Sequence, residues 1–411
     1  MFERNLKSQV REALADTPVI LLTGARQTGK STLAKDLSDG KYKPEYFTFD
    51  DPTILAAAKD NPKAFLDGIP TPAIFDEIQR VPELFLPLKA AVDKDRKAGS
   101  YLLTGSANVL LLPSVSDSLA GRMEVLNLRT LSQGEIEGRR ENFIDRVCAD
   151  EFKPKATGKA EERESLFRRA LTGGYPEVVS RDSDGRRDAW FRSYITTILQ
   201  RDVRDLANID GLTDLPRLLS ILAARSGGLL NYAEVSRSSG LPQTTLKRYA
   251  ALLEQIYLIE YLPAFSGSLK QRMVRSPKLF ISDTGLLSHL QGLNWEKIKF
   301  EKSLAGPLIE NFVYVELKKQ SAWNKTPVSF FHFRTSSDQE VDLVLEMHDG
   351  TVVGVEVKSG SSVNGDAFKG LRVMESAMSK KFKRGIVLYA GDTVVSFAEN
   401  MFAVPISEIW S

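Results

Sequence analysis

Short apolar runs separated by polar, helix-like stretches fill the first third of the chain. Residues 19–22, 73–75 and 101–103 are continuous apolar stretches and 46–49 is apolar but for Thr48, the pattern of strands buried on both faces. A helix-like stretch begins at Thr32, and the alternation runs to about Leu128, which predicts a doubly wound parallel sheet. Residues 150–164, with KPKATGKAEERE, are polar and charge-dense and read as a linker or loop. Helical periodicity then dominates 166–224, with Ala189-Trp190-Phe191 and Tyr194-Ile195 on a buried face. Residues 231–259 read as two helices about the turn Ser239-Gly240-Leu241-Pro242, with Leu246, Tyr249, Leu252, Leu253 and Ile256 packing inward. A hairpin is expected after Phe265. Further on come a helix carrying Ile309, Phe312, Val313 and Leu317, and strands at 341–345 and 352–355 around the turn Asp349-Gly350. No internal repeat and no low-complexity tract interrupts the pattern.

The first apolar run leads into Gly24-Ala25-Arg26-Gln27-Thr28-Gly29-Lys30-Ser31, followed by Thr32. This fits G-x-x-x-x-G-K-[ST] with strand-like and helix-like flanks, the arrangement of a phosphate-binding loop. The glycines let backbone N–H groups turn inward around a phosphate, Lys30 neutralises its charge, and the Ser31 hydroxyl is a ligand for Mg2+. Nucleotide binding follows as the firmest expectation, with Arg26, Gln27, Thr28 and Thr32 completing the loop. Asp76 and Glu77 end the run 73–75. Two acids after a strand are usually a helix N-cap. Beside a phosphate loop they read instead as the Mg2+-shell carboxylate, Asp76, and the water-polarising carboxylate, Glu77.

Other strand ends offer candidates for the same site. Thr104-Gly105-Ser106-Ala107-Asn108 follows the run 101–103, and Ser106 is a candidate sensor of the terminal phosphate. Arg122, in Ser118-Leu119-Ala120-Gly121-Arg122, is a candidate for stabilising transition-state charge in its own or a neighbouring subunit, with Arg26 as its competitor. Asp50 and Asp51 read as turn residues or as part of the site rim.

With GARQTGKST, FDDP, IFDEIQ, LLTGSAN and SLAGR in place, the chain resembles the AAA-plus-type ATPases that carry a C-terminal domain of unknown function. The resemblance covers nearly the whole chain. It implies an N-terminal ATPase that uses ATP and Mg2+, followed by DNA-binding and nuclease-like parts.

The residues of the second half carry their own signals. The second helix of the 231–259 pair presents Gln243, Thr244, Lys247 and Arg248 on its early turns, residue types that meet phosphates and base edges in a major groove. The stretch after it holds Lys270, Arg272, Arg275 and Lys278 with no acid among them, which fits the wing of a winged helix. Such modules also dock proteins or act as ATPase lids. Glu310 lies on the later helix, Asp342 on a strand, and Glu356-Val357-Lys358 at the end of the next. This order resembles the nuclease fold named for its Asp and Glu-x-Lys signature. Period-2 geometry puts Glu356 and Lys358 on one strand face, where Asp342 and Glu356 would share Mg2+ with Glu310 nearby and Lys358 would orient water. A fold of this kind can also persist as a clamp or dimerisation unit. Arg334 and the cluster Lys380-Lys381-Phe382-Lys383-Arg384 are further candidates for a nucleic-acid backbone.

Composition narrows the setting. The 411 residues are enough for two or three domains. One cysteine, Cys148, excludes an internal disulfide framework, and His289, His332 and His348 lack zinc-ligand spacing. No apolar run approaches a membrane span, so a cytoplasmic protein is expected. The net charge of +2, from 55 basic and 53 acidic residues, carries no signal by itself.

The expected architecture is α/β: a P-loop ATPase domain with a parallel sheet at 1–160, a helical lid-like region at 161–225, a winged helix at 226–300 and a small α/β nuclease-like domain at 301–411. The expected function is a DNA-associated ATPase, a homo-oligomer whose nucleotide state controls DNA binding or remodelling. The alternatives are a Mg2+-dependent nuclease with a regulatory ATPase, and a nucleotide switch with a protein partner.

Overall fold

A computed structural model describes residues 2–38, 42–105, 119–152, 161–266 less 207–213, and 276–411, with backbone alone for 201–206. The chain divides into two compact units, one of Met1–Thr130 with Gln255–Tyr257, the other of Leu131–Glu254 with Leu258–Ser411.

The first unit is built on five parallel strands, β1 (Val19–Thr23), β2 (Glu45–Thr48), β3 (Ala73–Asp76), β4 (Tyr101–Thr104) and β5 (Met123–Asn127), in the order β2-β3-β4-β1-β5. Every residue of β1, β3 and β4 is buried, which explains their unbroken apolar runs. Phe47, Phe49, Phe65, Phe75 and Tyr101 stack against one another on one face of the sheet, with ring centroids 5.9–6.2 Å apart in the pairs Phe47–Phe75, Phe49–Phe75, Phe65–Phe75 and Phe75–Tyr101. Parallel strands leave their C-terminal ends on one edge, where loops collect ligand-binding groups. The phosphate loop, Asp76 and Thr104 all sit at that edge.

The second unit contains a six-stranded mixed sheet and a two-stranded antiparallel sheet. The large sheet comprises β8 (Val328–Arg334), β9 (Glu340–Met347), β10 (Val352–Lys358), β11 (Phe382–Tyr389), β12 (Val395–Ala398) and β13 (Met401–Pro405) in the order β12-β13-β11-β10-β9-β8. The small one pairs β6 (Ile259–Leu262) with β7 (Lys278–Ile281). The helices Tyr232–Ser239 and Gln243–Gln255 form where the periodicity predicts, and Gly240 at φ +77° turns the chain between them.

The chain leaves the first unit at Thr130, not at the expected boundary of 160. Residues 131–148 belong to the second unit because their polar groups are satisfied there. Glu316 accepts a hydrogen bond from the Gln133 N–H (2.9 Å), Lys319 Nζ donates to Leu131 O (2.8 Å), and Trp323 Nε1 donates to Glu141 O (3.2 Å). Glu316 and Lys319 are themselves buried and paired at 2.7 Å. Apart from Gln255–Tyr257, the expected regions 161–225, 226–300 and 301–411 fall within one unit.

Candidate active site and a buried acid cluster

The loop after β1 is held from within and from behind. Lys30 begins the helix Lys30–Asp36, and Gly29 caps it at φ +93°, a backbone conformation that suits glycine. Lys30 Nζ folds back over the loop and donates to Gly24 O (3.0 Å) and Ala25 O (2.8 Å). Thr28 Oγ1 donates to Ala25 O at 2.9 Å. Arg4, which the sequence reading passes over, braces the loop from the N-terminal segment: its guanidinium donates to Thr28 O and Arg129 O, each at 2.7 Å. An arginine three residues from the first methionine carries no local signal of that role; the fold brings it there.

Asp76 is the hub of the site. It is 5% exposed and accepts from Ser31 Oγ (2.8 and 3.0 Å), from the Tyr46 hydroxyl (2.7 Å) and from Thr104 Oγ1. Burial and the neighbouring Asp76 carboxylate raise the Tyr46 phenol well above its ordinary range, so it stays a donor. The Ser31 hydroxyl and the Asp76 carboxylate, already in contact, form an oxygen donor set that suits Mg2+, and the loop N–H groups with Lys30 suit a polyphosphate. The residues present therefore fit a magnesium nucleotide.

Glu77 follows at φ +62°, a left-handed conformation uncommon for a residue with a side chain and found at functional sites. It turns the chain out of β3. Thr104 Oγ1 accepts from the Glu77 N–H at 3.2 Å, and Gln79 Nε2 donates to Glu77 Oε2. Glu77 is thus fixed from both ends.

Arg122 lies elsewhere. Its carbonyl accepts from the Val19 N–H at 3.3 Å, and Met123 pairs with Val19 at the start of β1. The phosphate loop leaves the other end of that strand, roughly 15 Å away at the usual strand rise. Arg122 pairs with Asp93 at 2.5 Å and is too far to serve the nucleotide site of its own subunit. Asp51 caps the helix Pro52–Asp60, and Asp50 pairs with Arg80 at 2.6 Å. Ser106, Lys270, Arg272 and Arg275 lie outside the described residues.

In the second unit the strand register brings the expected acids together. The antiparallel pairing of β9 and β10, which runs to Leu343↔Val355, sets Asp342 beside Glu356, and Asp342 Oδ2 accepts from the Val357 N–H at 2.9 Å. Glu310 reaches the same place from the helix Ala305–Gln320. Between the acids, however, stands Lys278 of β7, only 2% exposed. Its Nζ lies 2.8 Å from Glu310, 2.8 Å from Glu340 and 3.0 Å from Asp342. In sequence Lys278 belongs to a basic stretch; in the structure it is the centre of a buried acidic cluster. Lys358 pairs with Glu356 at 2.6 Å. Acids outnumber lysines here, and burial together with the neighbouring Asp342 charge pushes the Glu356 carboxyl up to about 7. Among the described residues no group of three or more His, Cys, Asp or Glu side chains is placed to hold a metal ion. As arranged, the donor set serves an ammonium and does not fit Mg2+.

Other expectations for this unit divide. Gln243, Thr244, Lys247 and Arg248 are all exposed on the second helix of the pair. Arg334, expected to be available to a phosphate, is paired with Asp338 (2.8 Å) and Glu340 (3.5 Å). Within the basic cluster, Arg384 is buried and donates to Ala149 O at 2.7 Å, and Lys383 pairs with Asp150 at 2.6 Å. The C-terminal part of that cluster therefore binds the unit's own chain. A cavity of about 570 Å³ near Arg187, Phe191 and His289 lies in this unit too, where His289 Nδ1 meets Asp188 at 2.5 Å.

Glu141 gives the second unit a pH dependence. Burial pushes its carboxyl up to about 7 from an ordinary 4.5, so the folded form holds a proton that the unfolded form releases. Stability from this group is complete below about pH 4.5 and is lost as pH rises through about 7, by at most about 3 kcal/mol. Buried His332, lowered to about 4, has the opposite slope, with stability lost as pH falls from about 6.5 to 4. Comparing the melting temperatures of wild type and Glu141→Gln isolates the first effect. The wild type is expected to lose ground to the variant between about pH 5 and pH 8, and a constant difference would refute the assignment.

A parallel sheet with a glycine-rich phosphate loop, its lysine and serine, and a carboxylate at the end of β3 defines a P-loop ATPase fold. The family described as AAA domain matches residues 16–137, and two domains of unknown function, DUF8612 and DUF4143, match 163–297 and 305–409. The chain is 32% identical over 409 residues to the uncharacterized protein Rv2008c of Mycobacterium tuberculosis and equally to Mb2031c of Mycobacterium bovis, covering 99% of this chain and 84% of each relative. It belongs to the same family as these two proteins. Among solved structures, the Walker-type ATPase of Pyrococcus abyssi is similar at 16% identity and a TM-score of 0.45, over 71% of this chain and 96% of that one. The RuvB Holliday junction branch migration motor of Thermotoga maritima is similar at 17% identity and a TM-score of 0.28, over 63% and 89%. Among the described residues no helix is long and apolar enough to cross a membrane.

Proposed function

We propose that this chain is a Mg2+-dependent ATPase whose nucleotide state controls engagement of DNA by its second unit. The observation that carries the catalytic part is the contact of Ser31 with Asp76, beside a Glu77 that is fixed by Thr104 and Gln79. Magnesium nucleotide, when bound, would supply the terminal phosphoryl group and a cation that neutralises charge on the phosphate oxygens. Lys30 exchanges its loop carbonyls for phosphate oxygens. Ser31 and Asp76 would hold Mg2+, with Tyr46 and Thr104 keeping the Asp76 carboxylate oriented. Glu77 positions the attacking water and takes its proton at the carboxylate, whose Oε2 is oriented by Gln79.

The DNA part is supported by the exposed face of the helix Gln243–Gln255, where Gln243, Thr244, Lys247 and Arg248 are all solvent-accessible next to the turn at Gly240. We read this helix pair and the β6–β7 sheet as a winged helix. The test is the rate of ATP hydrolysis with Mg2+, alone and with duplex, single-stranded and four-way-junction DNA, using Lys30→Ala as the blank. Hydrolysis that rises with one DNA form supports both parts. No hydrolysis overturns the first, and hydrolysis indifferent to every DNA, with no retention on DNA, overturns the second in favour of a protein partner.

For Arg122 the role we propose is one across a subunit boundary. If it acts there, turnover per subunit rises with protein concentration in the wild type and stays flat in Arg122→Ala. Equal rates for the two proteins at every concentration would remove the role.

A further inference from the structure

We infer that Lys278 is the resident cation of the acid cluster in the second unit, an internal ammonium standing where the Asp and Glu-x-Lys pattern leads one to expect a divalent metal. Three carboxylates from two elements converge on one nitrogen: Glu310 from the helix Ala305–Gln320, and Glu340 and Asp342 from β9, at 2.8, 2.8 and 3.0 Å. Carboxylate oxygens are the kind of ligand a hard cation takes, and here three of them are supplied to a primary amine with three N–H donors. The amine is 2% exposed, so bulk solvent does not compete for it.

Geometry also explains why the two cations exclude one another. A second positive charge among these acids would stand within a few Å of the ammonium, and at such range like charges repel strongly in a buried site. Removing the lysine alone would leave the carboxylates uncompensated, which is costly and which a divalent ion relieves. Lys278 comes from β7, the strand paired with β6 next to the helix pair. The cluster therefore ties that module to the large sheet, and the part of the chain proposed to meet DNA holds the acids in their metal-free state. On this reading the second unit binds through its surface and does not cleave.

The experiment is a Mn2+ titration followed by electron paramagnetic resonance on the full-length, nucleotide-free protein, in wild type, Lys278→Met and the double variant Lys278→Met/Asp342→Asn. Apart from any Mn2+ held at Asp76, which is common to all three proteins, wild type is expected to show no saturable site, Lys278→Met a single additional one, and the double variant none. A saturable site in wild type that Asp342→Asn removes would overturn the inference, as would a Lys278→Met protein that folds and takes up no additional Mn2+. If Lys278→Met does not fold, lysine acetylation of the wild type decides. Lys278 should be protected relative to the exposed Lys247 with or without millimolar Mn2+. Labelling of Lys278 at the rate of Lys247, or an increase on adding Mn2+, would show that the ammonium does not hold the site.

Discussion

Glu77→Gln is expected to bind ATP about as well as the wild type and to hydrolyse it about 10²- to 10⁴-fold more slowly, the usual contribution of a positioned general base. The change keeps the size and the hydrogen-bonding shape of the side chain. It removes the charge that draws a proton from water. Thr104 accepts from the backbone N–H of residue 77, and a substitution of the side chain leaves that bond and the turn out of β3 in place. Binding should survive because the loop, Lys30 and the Ser31–Asp76 contact do not depend on the Glu77 carboxylate. The check is equilibrium binding of a fluorescent ATP analogue beside single-turnover hydrolysis. A variant that hydrolyses at the wild-type rate would take Glu77 out of the chemistry. One that fails to bind would show that its role is architectural.

Gly24→Ala should have the larger structural effect. Gly24 sits at φ +143°, and a Cβ built there falls 2.2 Å from the Leu128 carbonyl oxygen. Nothing flexible can yield, because the obstacle is backbone. The Leu128 N–H is in turn fixed to Thr23 O at 2.8 Å where β5 runs beside β1. To admit one methyl group, either the β1–β5 pairing must open or the loop must move off its strand. The first costs about 3 kcal/mol or more in strain and lost packing. The second misaligns the carbonyl that receives Lys30. The variant is expected to melt earlier and to lose nucleotide binding, as measured by thermal denaturation with and without Mg2+ and ATP. Wild-type stabilisation by nucleotide in Gly24→Ala would contradict the close approach on which this rests.

The two predictions separate the parts of the site. Gly24 belongs to the scaffold that shapes the loop, and Glu77 to the groups that act on what the loop holds. Arg4 and Tyr46 lie between these roles: one braces the loop and the other orients Asp76.

The sequence by itself determined whatever depends on neighbours along the chain. The phosphate loop is legible because its glycines, lysine and serine act within one strand-to-helix turn, and the strands that carry it are legible because parallel strands buried on both faces must be apolar throughout. Asp76 and Glu77 are readable for the same reason, as acids at the end of such a run. The exposed face of the helix Gln243–Gln255 follows from the 3.6-residue period, which puts Leu246, Tyr249 and Leu253 on the opposite side. Tertiary structure alone decided which distant groups meet. The loop has Arg4 behind it because the N-terminal segment packs there, and Arg122 is removed from its own nucleotide site because parallel pairing places the start of β5 at the start of β1. Most of all, Lys278 reads in sequence as one more base in a basic stretch. Burial on β7 puts its ammonium among Glu310, Glu340 and Asp342, residues 32 to 64 positions further along the chain. No local pattern records that meeting, since electrostatic pairing depends on distance in space and sequence patterns report only distance along the chain.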